Sequence, residues 1–199
     1  DLPPLELDKD FVKGLEGKKP ETPQEMRARL KEKYQISDKY AKVLTNDKEI
    51  ALFFEELATK TDAKLAAMWT AEELLAQLNY REASLSETKM SVGLFVELLE
   101  LLKEKEITDV VAKKLLERII DSGESPEQIV KKEGLGAVKD EGALEKAVKE
   151  AIFENPKPVE DYKTGNKGAI NFLMGQVMKK MQGRAEASGV ISLLKKELD

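Results

Sequence analysis

Two helix-start signatures of the same form constrain this chain more than any other feature. They read Thr22-Pro23-Gln24-Glu25 and Ser125-Pro126-Glu127-Gln128. In each, a hydroxyl residue can cap the first turn, proline occupies the first helical position, and Glu or Gln closes a capping box. Around them apolar residues recur at helical spacing, and nowhere do four or more β-branched residues alternate with polar ones. The chain is therefore predicted to be all-α.

A polar segment at residues 121–126 is the best candidate boundary between two helical parts, because it contains both glycine and proline and is followed by a new helix start. We predict a helical domain over 21–123 and a smaller helical tail domain over 124–199. Residues 1–20 contain several helix-breaking Pro and Gly residues. They are predicted to form an extended arm that packs on a body outside this sequence.

The composition removes several kinds of chemistry. Cysteine and histidine are both absent, so the thiolate nucleophile, the commonest general base and the usual zinc ligands are missing. The sequence contains no run of about 18 apolar residues, which is the length that a membrane-spanning helix needs. We expect no catalytic residue, no metal and no cofactor in this chain, and a cytoplasmic location. Carboxylates and lysines can still take part in chemistry, so residue types alone leave enzymatic activity open.

The segment 162–185 holds five basic residues and no acidic one, in a chain of net charge -5. As a helix it buries an apolar stripe and leaves Asn171, Gly175 and Lys179 along the opposite side. In the middle of a helix, glycine costs about 1 kcal/mol relative to alanine. An exposed glycine that has Asn171 and Lys179 on the same side of the helix therefore indicates that a sugar-phosphate chain approaches the helix backbone closely. The alternative is a solvated basic face whose glycine allows close helix packing. The candidate contact residues are Lys163, Lys167, Asn171, Gly175, Gln176, Lys179, Lys180 and Arg184.

A second basic run occupies the first predicted helix and consists of Arg27, Arg29, Lys31 and Lys33. Glu25 and Glu32 lie among these residues, and oppositely charged side chains on one helix surface attract each other. The run is therefore interpreted as a salt-bridged solvent face. A contribution to the same anion-binding surface stays a second possibility.

Four segments together match a known family pattern. They read D-L-P-P-L-E at 1–6, D-A-K-L-A-A-M-W at 62–69, N-P-K-P-V-E-D-Y-K at 155–163 and N-F-L-M-G-Q-V-M-K at 171–179, which Gly183-Arg184-Ala185 continues. Over essentially its whole length the chain thereby resembles the GatB family, the B subunits of aspartyl/glutamyl-tRNA amidotransferases. The segment near the C-terminus is the most specific of the four.

This resemblance implies a helical domain followed by a YqeY-like tail that grips the tRNA body. It also implies that the catalytic domain, which uses ATP and Mg²⁺, precedes residue 1. The parent enzyme would convert Glu-tRNA(Gln) or Asp-tRNA(Asn) to Gln-tRNA(Gln) or Asn-tRNA(Asn) by ATP-dependent transamidation. Its partners would be the amidase (A) subunit, the small (C) subunit and tRNA. Contact with tRNA is expected at the basic tail helix. The alternative is a protein-docking module of the same complex without direct RNA contact.

Overall fold

The structure, a computed structural model, describes residues 21–138 and 140–198. The predicted N-terminal arm at 1–20 lies outside the described residues. Every regular element in the described part of the chain is a helix and none is a strand, which confirms the all-α class. None of the helices in this part is long and apolar enough to cross a membrane.

Eight helices make up the N-terminal group. They are α1 (Pro23–Tyr34), α2 (Asp38–Leu44), α3 (Lys48–Ala58), α4 (Ala63–Met68), α5 (Leu75–Arg81), α6 (Val92–Lys103), α7 (Asp109–Ser122) and α8 (Pro126–Glu133). A π-helical turn, Trp69–Leu74, joins α4 to α5 in one continuous rod. Both predicted helix starts are confirmed. Thr22 forms a complete capping box with Glu25, and the Ser125 side chain accepts from the Gln128 N–H.

The core of the N-terminal group surrounds α6. That helix is apolar on most sides, and it contacts α3, α7 and α8. Phe95, Leu98 and Leu99 of α6 are fully buried, together with Phe54, and Trp69 is nearly so. A helix that is hydrophobic nearly all round needs partners on several sides, which explains its central place.

Four helices make up the C-terminal group. They are α9 (Glu141–Glu154), α10 (Pro156–Lys163), α11 (Ala169–Lys180) and α12 (Ala187–Leu198). Their separate core is built around Val148, Leu173, Val177, Val190 and Leu194, all fully buried. Helix α11 contacts α9, α10 and α12 and therefore lies at the centre of this group.

The helix that follows the predicted boundary at 123–124 contributes to the N-terminal core. Ile129 of α8 is buried in the N-terminal core, so the change of core falls after α8. Gly123 is the left-handed C-cap of α7, and a Cβ there would lie 3.2 Å from the Cβ of Lys89. The segment around Gly123 is thus a packed helix end. The division of the chain into separate folding units at 123–124 stays a prediction.

A turn after α11 docks the C-terminal group on the N-terminal group. The Thr108 hydroxyl, at the start of α7, donates to the carbonyl oxygen of Gly183. The Val138 N–H donates to the carbonyl oxygen of Arg184 at 2.9 Å, and Arg184 Nε donates to the carbonyl oxygen of Gly136 at 2.9 Å. We call this set of contacts the junction.

Glycine is required at the centre of the junction for two reasons. Gly183 has a φ of +79°, which disfavours any residue with a Cβ. A Cβ at this buried position would also lie 2.6 Å from Cγ1 of Val110 in α7. The absence of a side chain is therefore what lets the turn approach α7 closely.

Candidate nucleic-acid interface

Helix α11 carries the centre of the predicted contact surface. Ile170, Leu173 and Val177 form its buried side, so helical geometry turns the opposite side to solvent. Asn171, Gly175 and Lys179 are exposed there, while Gln176 is half-buried. A Cβ at Gly175 would meet no heavy atom within 4 Å. Within the described residues this rules out the alternative in which the glycine admits a neighbouring helix.

Two further lysines lie where the chain approaches α11. Lys163 ends α10, and Lys167 lies in the turn that follows. Both line a shallow cleft of about 480 Å³ together with Tyr162, Gly165 and Leu198. Like Lys179, these two lysines are exposed and form no salt bridge among the described residues. We call Lys163, Lys167, Asn171, Gly175, Gln176 and Lys179 the α11 surface.

Lys180 is not a free cation. Its Nζ lies 2.9 Å from Oε1 of Glu154 and 3.5 Å from Oε2 of Glu150, both on α9. The hydrogen bond to Glu154 is the main reason that the pKa of Lys180 is raised. The segment 162–185 lacks acids in sequence, but helix packing supplies two carboxylates at its end. Lys180 therefore has less charge to offer to a ligand than the sequence suggests.

Arg184 also has an internal role. Its guanidinium donates to the carbonyl oxygen of Gly136, and its own carbonyl oxygen accepts from Val138. The side chain is half-buried at the junction. Of the predicted site residues, Lys180 and Arg184 thus hold parts of this chain together, whereas the others remain on the α11 surface.

Sequence reasoning missed an exposed stripe on α9. Lys146, Lys149 and Phe153 follow i, i+3, i+7 spacing and so lie on one side of the helix. The Phe153 side chain is 87% exposed, and neither lysine forms a salt bridge among the described residues. Acidic residues alternate with these lysines in the sequence, so the net charge of the segment does not reveal a basic surface. The helical spacing of the three residues is the signal that reveals it. We call these residues the α9 stripe.

The basic run of α1 is a salt-bridged face, as predicted, but its acidic partners lie elsewhere. Arg29 contacts Glu21 at 2.7 Å and Glu55 at 2.5 Å, and Arg27 pairs with Asp38. The hydrogen bond from Arg29 holds the pKa of Glu55 below its ordinary value. The hydrogen bonds to Glu21 and to Glu55 raise the pKa of Arg29. These cations are neutralised, so the run of α1 adds little to an anion-binding surface.

The fold and this site define a two-core helical protein whose C-terminal core presents unpaired lysines. A family model described as the GatB domain matches residues 52–198. The B subunit of the aspartyl/glutamyl-tRNA(Asn/Gln) amidotransferase of Methanocaldococcus jannaschii is 42% identical over 206 residues, covering 100% of this chain and 44% of that protein. The corresponding B subunits of Methanothermobacter thermautotrophicus and Haloarcula marismortui are 39% and 42% identical, again over 100% of this chain and over 44% and 39% of their own lengths.

This chain belongs to the GatB family. It spans less than half the length of the curated relatives it matches.

Proposed function

We propose that this chain binds tRNA through the α11 surface, as part of a GatB protein that acts in the amidation of Glu-tRNA(Gln) or Asp-tRNA(Asn). The observation that carries the proposal is the bare helix backbone at Gly175. It lies four residues, about one turn, from the unpaired Lys179. Family membership supports it, because the relatives are named as subunits of tRNA amidotransferases.

The mode of recognition follows from the residue types. Lysines contact phosphates as point charges, and an exposed glycine lets a sugar-phosphate backbone approach main-chain atoms. Such contacts read the shape of folded RNA and carry little base information. When the logarithm of the affinity is plotted against the logarithm of the salt concentration, the three unpaired lysines of the α11 surface are expected to contribute about -3 to the slope.

Chemistry is assigned to the rest of the GatB protein. ATP and Mg²⁺ would bind in a domain preceding residue 1, and the amidase (A) and small (C) subunits would be partners in the assembled enzyme. In this proposal the chain positions the bound RNA, and we assign it no catalytic residue.

The test replaces three lysines of the α11 surface in the variant K163Q/K167Q/K179Q. Binding of tRNA(Gln) and tRNA(Asn) transcripts is measured by fluorescence anisotropy at several salt concentrations. We expect weaker binding and loss of most of the salt slope, because the phosphate contacts are gone. Far-UV circular dichroism should be unchanged, since all three side chains are exposed.

The matched control is K42Q/K48Q/K64Q. It removes the same charge from three lysines of the N-terminal group, which likewise form no salt bridge among the described residues. The control should keep the wild-type affinity and slope. Equal losses in the two variants would mean that net charge, and not the α11 surface, determines binding, and the proposal would be withdrawn.

A protein-docking role is the second candidate, because Phe172 of α11 is 50% exposed beside Gln176 and Gly175. An apolar protein interface responds little to salt, whereas phosphate contacts respond steeply. Binding of another component of the enzyme that is insensitive to salt, with no measurable tRNA binding, would favour docking over RNA contact.

A further inference from the structure

We propose that the α9 stripe holds an unpaired nucleotide of the bound RNA, with its base stacked on Phe153 and adjacent phosphates paired with Lys149 and Lys146. This inference rests on the proposed function, but it concerns a different helix and a different kind of contact. Sequence-tolerant RNA contacts commonly combine aromatic rings, on which bases stack, with lysines that track the backbone.

The geometry of α9 places the stripe at the centre of its solvent side. Val148 and Ala151 are fully buried and mark the direction of the core. At 100° per residue the stripe lies roughly opposite to them, and along the axis Lys149 and Lys146 lie about 6 Å and about 10 Å from Phe153. A ring followed by two cations within about two helical turns suits one base and the phosphates next to it.

Two of the three carboxylates beside the stripe share one lysine. Glu150 and Glu154 lie on the flank of α9 that faces α11, and both are paired with Lys180. Glu145 lies on the other flank and is half-buried. Lys180 therefore acts as a positioning residue, because it draws Glu150 away from the i, i+4 partner Lys146 and leaves that lysine free.

The composition of the stripe favours RNA over a protein partner. Among the described residues of α9, Phe153 is the one large apolar side chain that is exposed, and its neighbours on the helix include the exposed Lys149 and Glu150. Protein interfaces are depleted of lysine at their centres and are built around apolar anchors. A ring framed by unpaired lysines instead matches the alternation of flat bases and negative phosphates along a nucleic-acid strand.

The decisive variants change the ring alone, in the full 199-residue chain. With tRNA(Gln) and tRNA(Asn) transcripts, F153A is expected to bind about 5- to 150-fold more weakly, the range found for loss of one base–aromatic stack. F153L should lose as much as F153A, because leucine keeps apolar bulk without a flat π face. F153W should keep the affinity, and its emission should be quenched on binding, against the constant background of buried Trp69.

The matched control is Y80A, which removes an 86% exposed ring from α5 in the N-terminal group. It should leave RNA binding unchanged. A second variant, K146Q/K149Q, should lower the affinity and make the salt slope shallower by about 2. None of these side chains is buried, so thermal unfolding should match the wild type.

The outcomes separate this inference from the proposed function. If K163Q/K167Q/K179Q loses binding while F153A and K146Q/K149Q bind like the wild type, the stripe is not an RNA contact and only the proposed function stands. The inference is also overturned if F153L binds as well as the wild type, since a site that accepts leucine does not depend on stacking. If the wild-type chain binds neither transcript, both proposals fall together.

Discussion

Replacing Gly183 with alanine is expected to weaken the attachment of the C-terminal helices to the N-terminal helices. The new Cβ would lie 2.6 Å from Cγ1 of Val110 and 3.3 Å from its Cβ. Real Cβ atoms do not approach other carbons at the shorter distance, so either α7 or the turn must shift. The shift acts on the hydrogen bond that Thr108 donates to the Gly183 carbonyl oxygen.

The magnitude follows from two contributions. A left-handed φ costs a residue with a Cβ about 1–2 kcal/mol, partly offset by the smaller entropy of the unfolded chain, about 0.4–1 kcal/mol. Forcing an extra carbon into a packed site costs about 1–3 kcal/mol. We therefore expect Gly183→Ala to lower the free energy of unfolding by about 2–4 kcal/mol.

The control for backbone strain is Gly134→Ala. Gly134 also has a positive φ, of +62°, but a Cβ there meets no heavy atom within 4 Å. It should cost about 1 kcal/mol, from the backbone conformation alone. The difference between the two variants measures the collision with Val110.

The assay is urea unfolding followed by far-UV circular dichroism and by Trp69 fluorescence, which reports on the N-terminal core alone. Adding Val110→Ala to Gly183→Ala should recover at least about 1 kcal/mol, because it removes the methyl group at 2.6 Å. If the two substitutions are simply additive, or if Gly183→Ala costs no more than Gly134→Ala, the steric account of the junction is wrong.

Three further predictions concern single contacts. Thr70→Val should raise the free energy of unfolding by about 1 kcal/mol in a thermal melt, because the buried Thr70 hydroxyl has no hydrogen-bond partner among the described residues; a destabilised variant would show that the hydroxyl is satisfied. Arg29 lowers the pKa of Glu55 below 4.5, so the ionised carboxylate stabilises the fold above pH 4.5 and loses this effect as pH falls through the lower folded-state pKa. The stability lost in Glu55→Gln, measured by urea unfolding at several pH values, should therefore shrink in acid, and a loss independent of pH would contradict the pairing. E150Q/E154Q should bind tRNA transcripts more tightly at low salt, because it removes two carboxylates and frees Lys180; unchanged affinity would place this part of α9 outside the interface.

Helix starts were predictable from the sequence because capping is local. Thr22 and Ser125 meet their partners three residues away, and Thr108 caps α7 in the same way. The all-α class follows from many such starts together with the helical spacing of apolar residues. The exposure of Asn171, Gly175 and Lys179 was predictable for the same reason, because one helix determines which of its sides is buried.

Contacts between helices distant in sequence were not predictable. Lys180 is separated by 30 residues from Glu150, and Arg184 is separated by 48 residues from Gly136. The sequence next to each of these cations does not indicate which residue it contacts. Ile129 joins the N-terminal core although Gly123 and Pro126 suggest a break before it. In each case the packing of whole helices determines the environment of the side chain, and neighbours in sequence do not.

Most of the atoms that form the hydrogen bonds of the junction belong to the main chain, and this has a consequence for protein engineering. The carbonyl oxygens of Gly136, Gly183 and Arg184 accept its three hydrogen bonds, and the N–H group of Val138 donates one of them. The Thr108 hydroxyl and the Arg184 guanidinium donate the other two. Peptide groups are the same in every homologue, so a chimaera that joins α1–α8 of this chain to α9–α12 of a relative should retain the native alignment of its halves. The graft needs a glycine at position 183, and it needs Thr108 and Arg184 to donate the two side-chain hydrogen bonds of the junction.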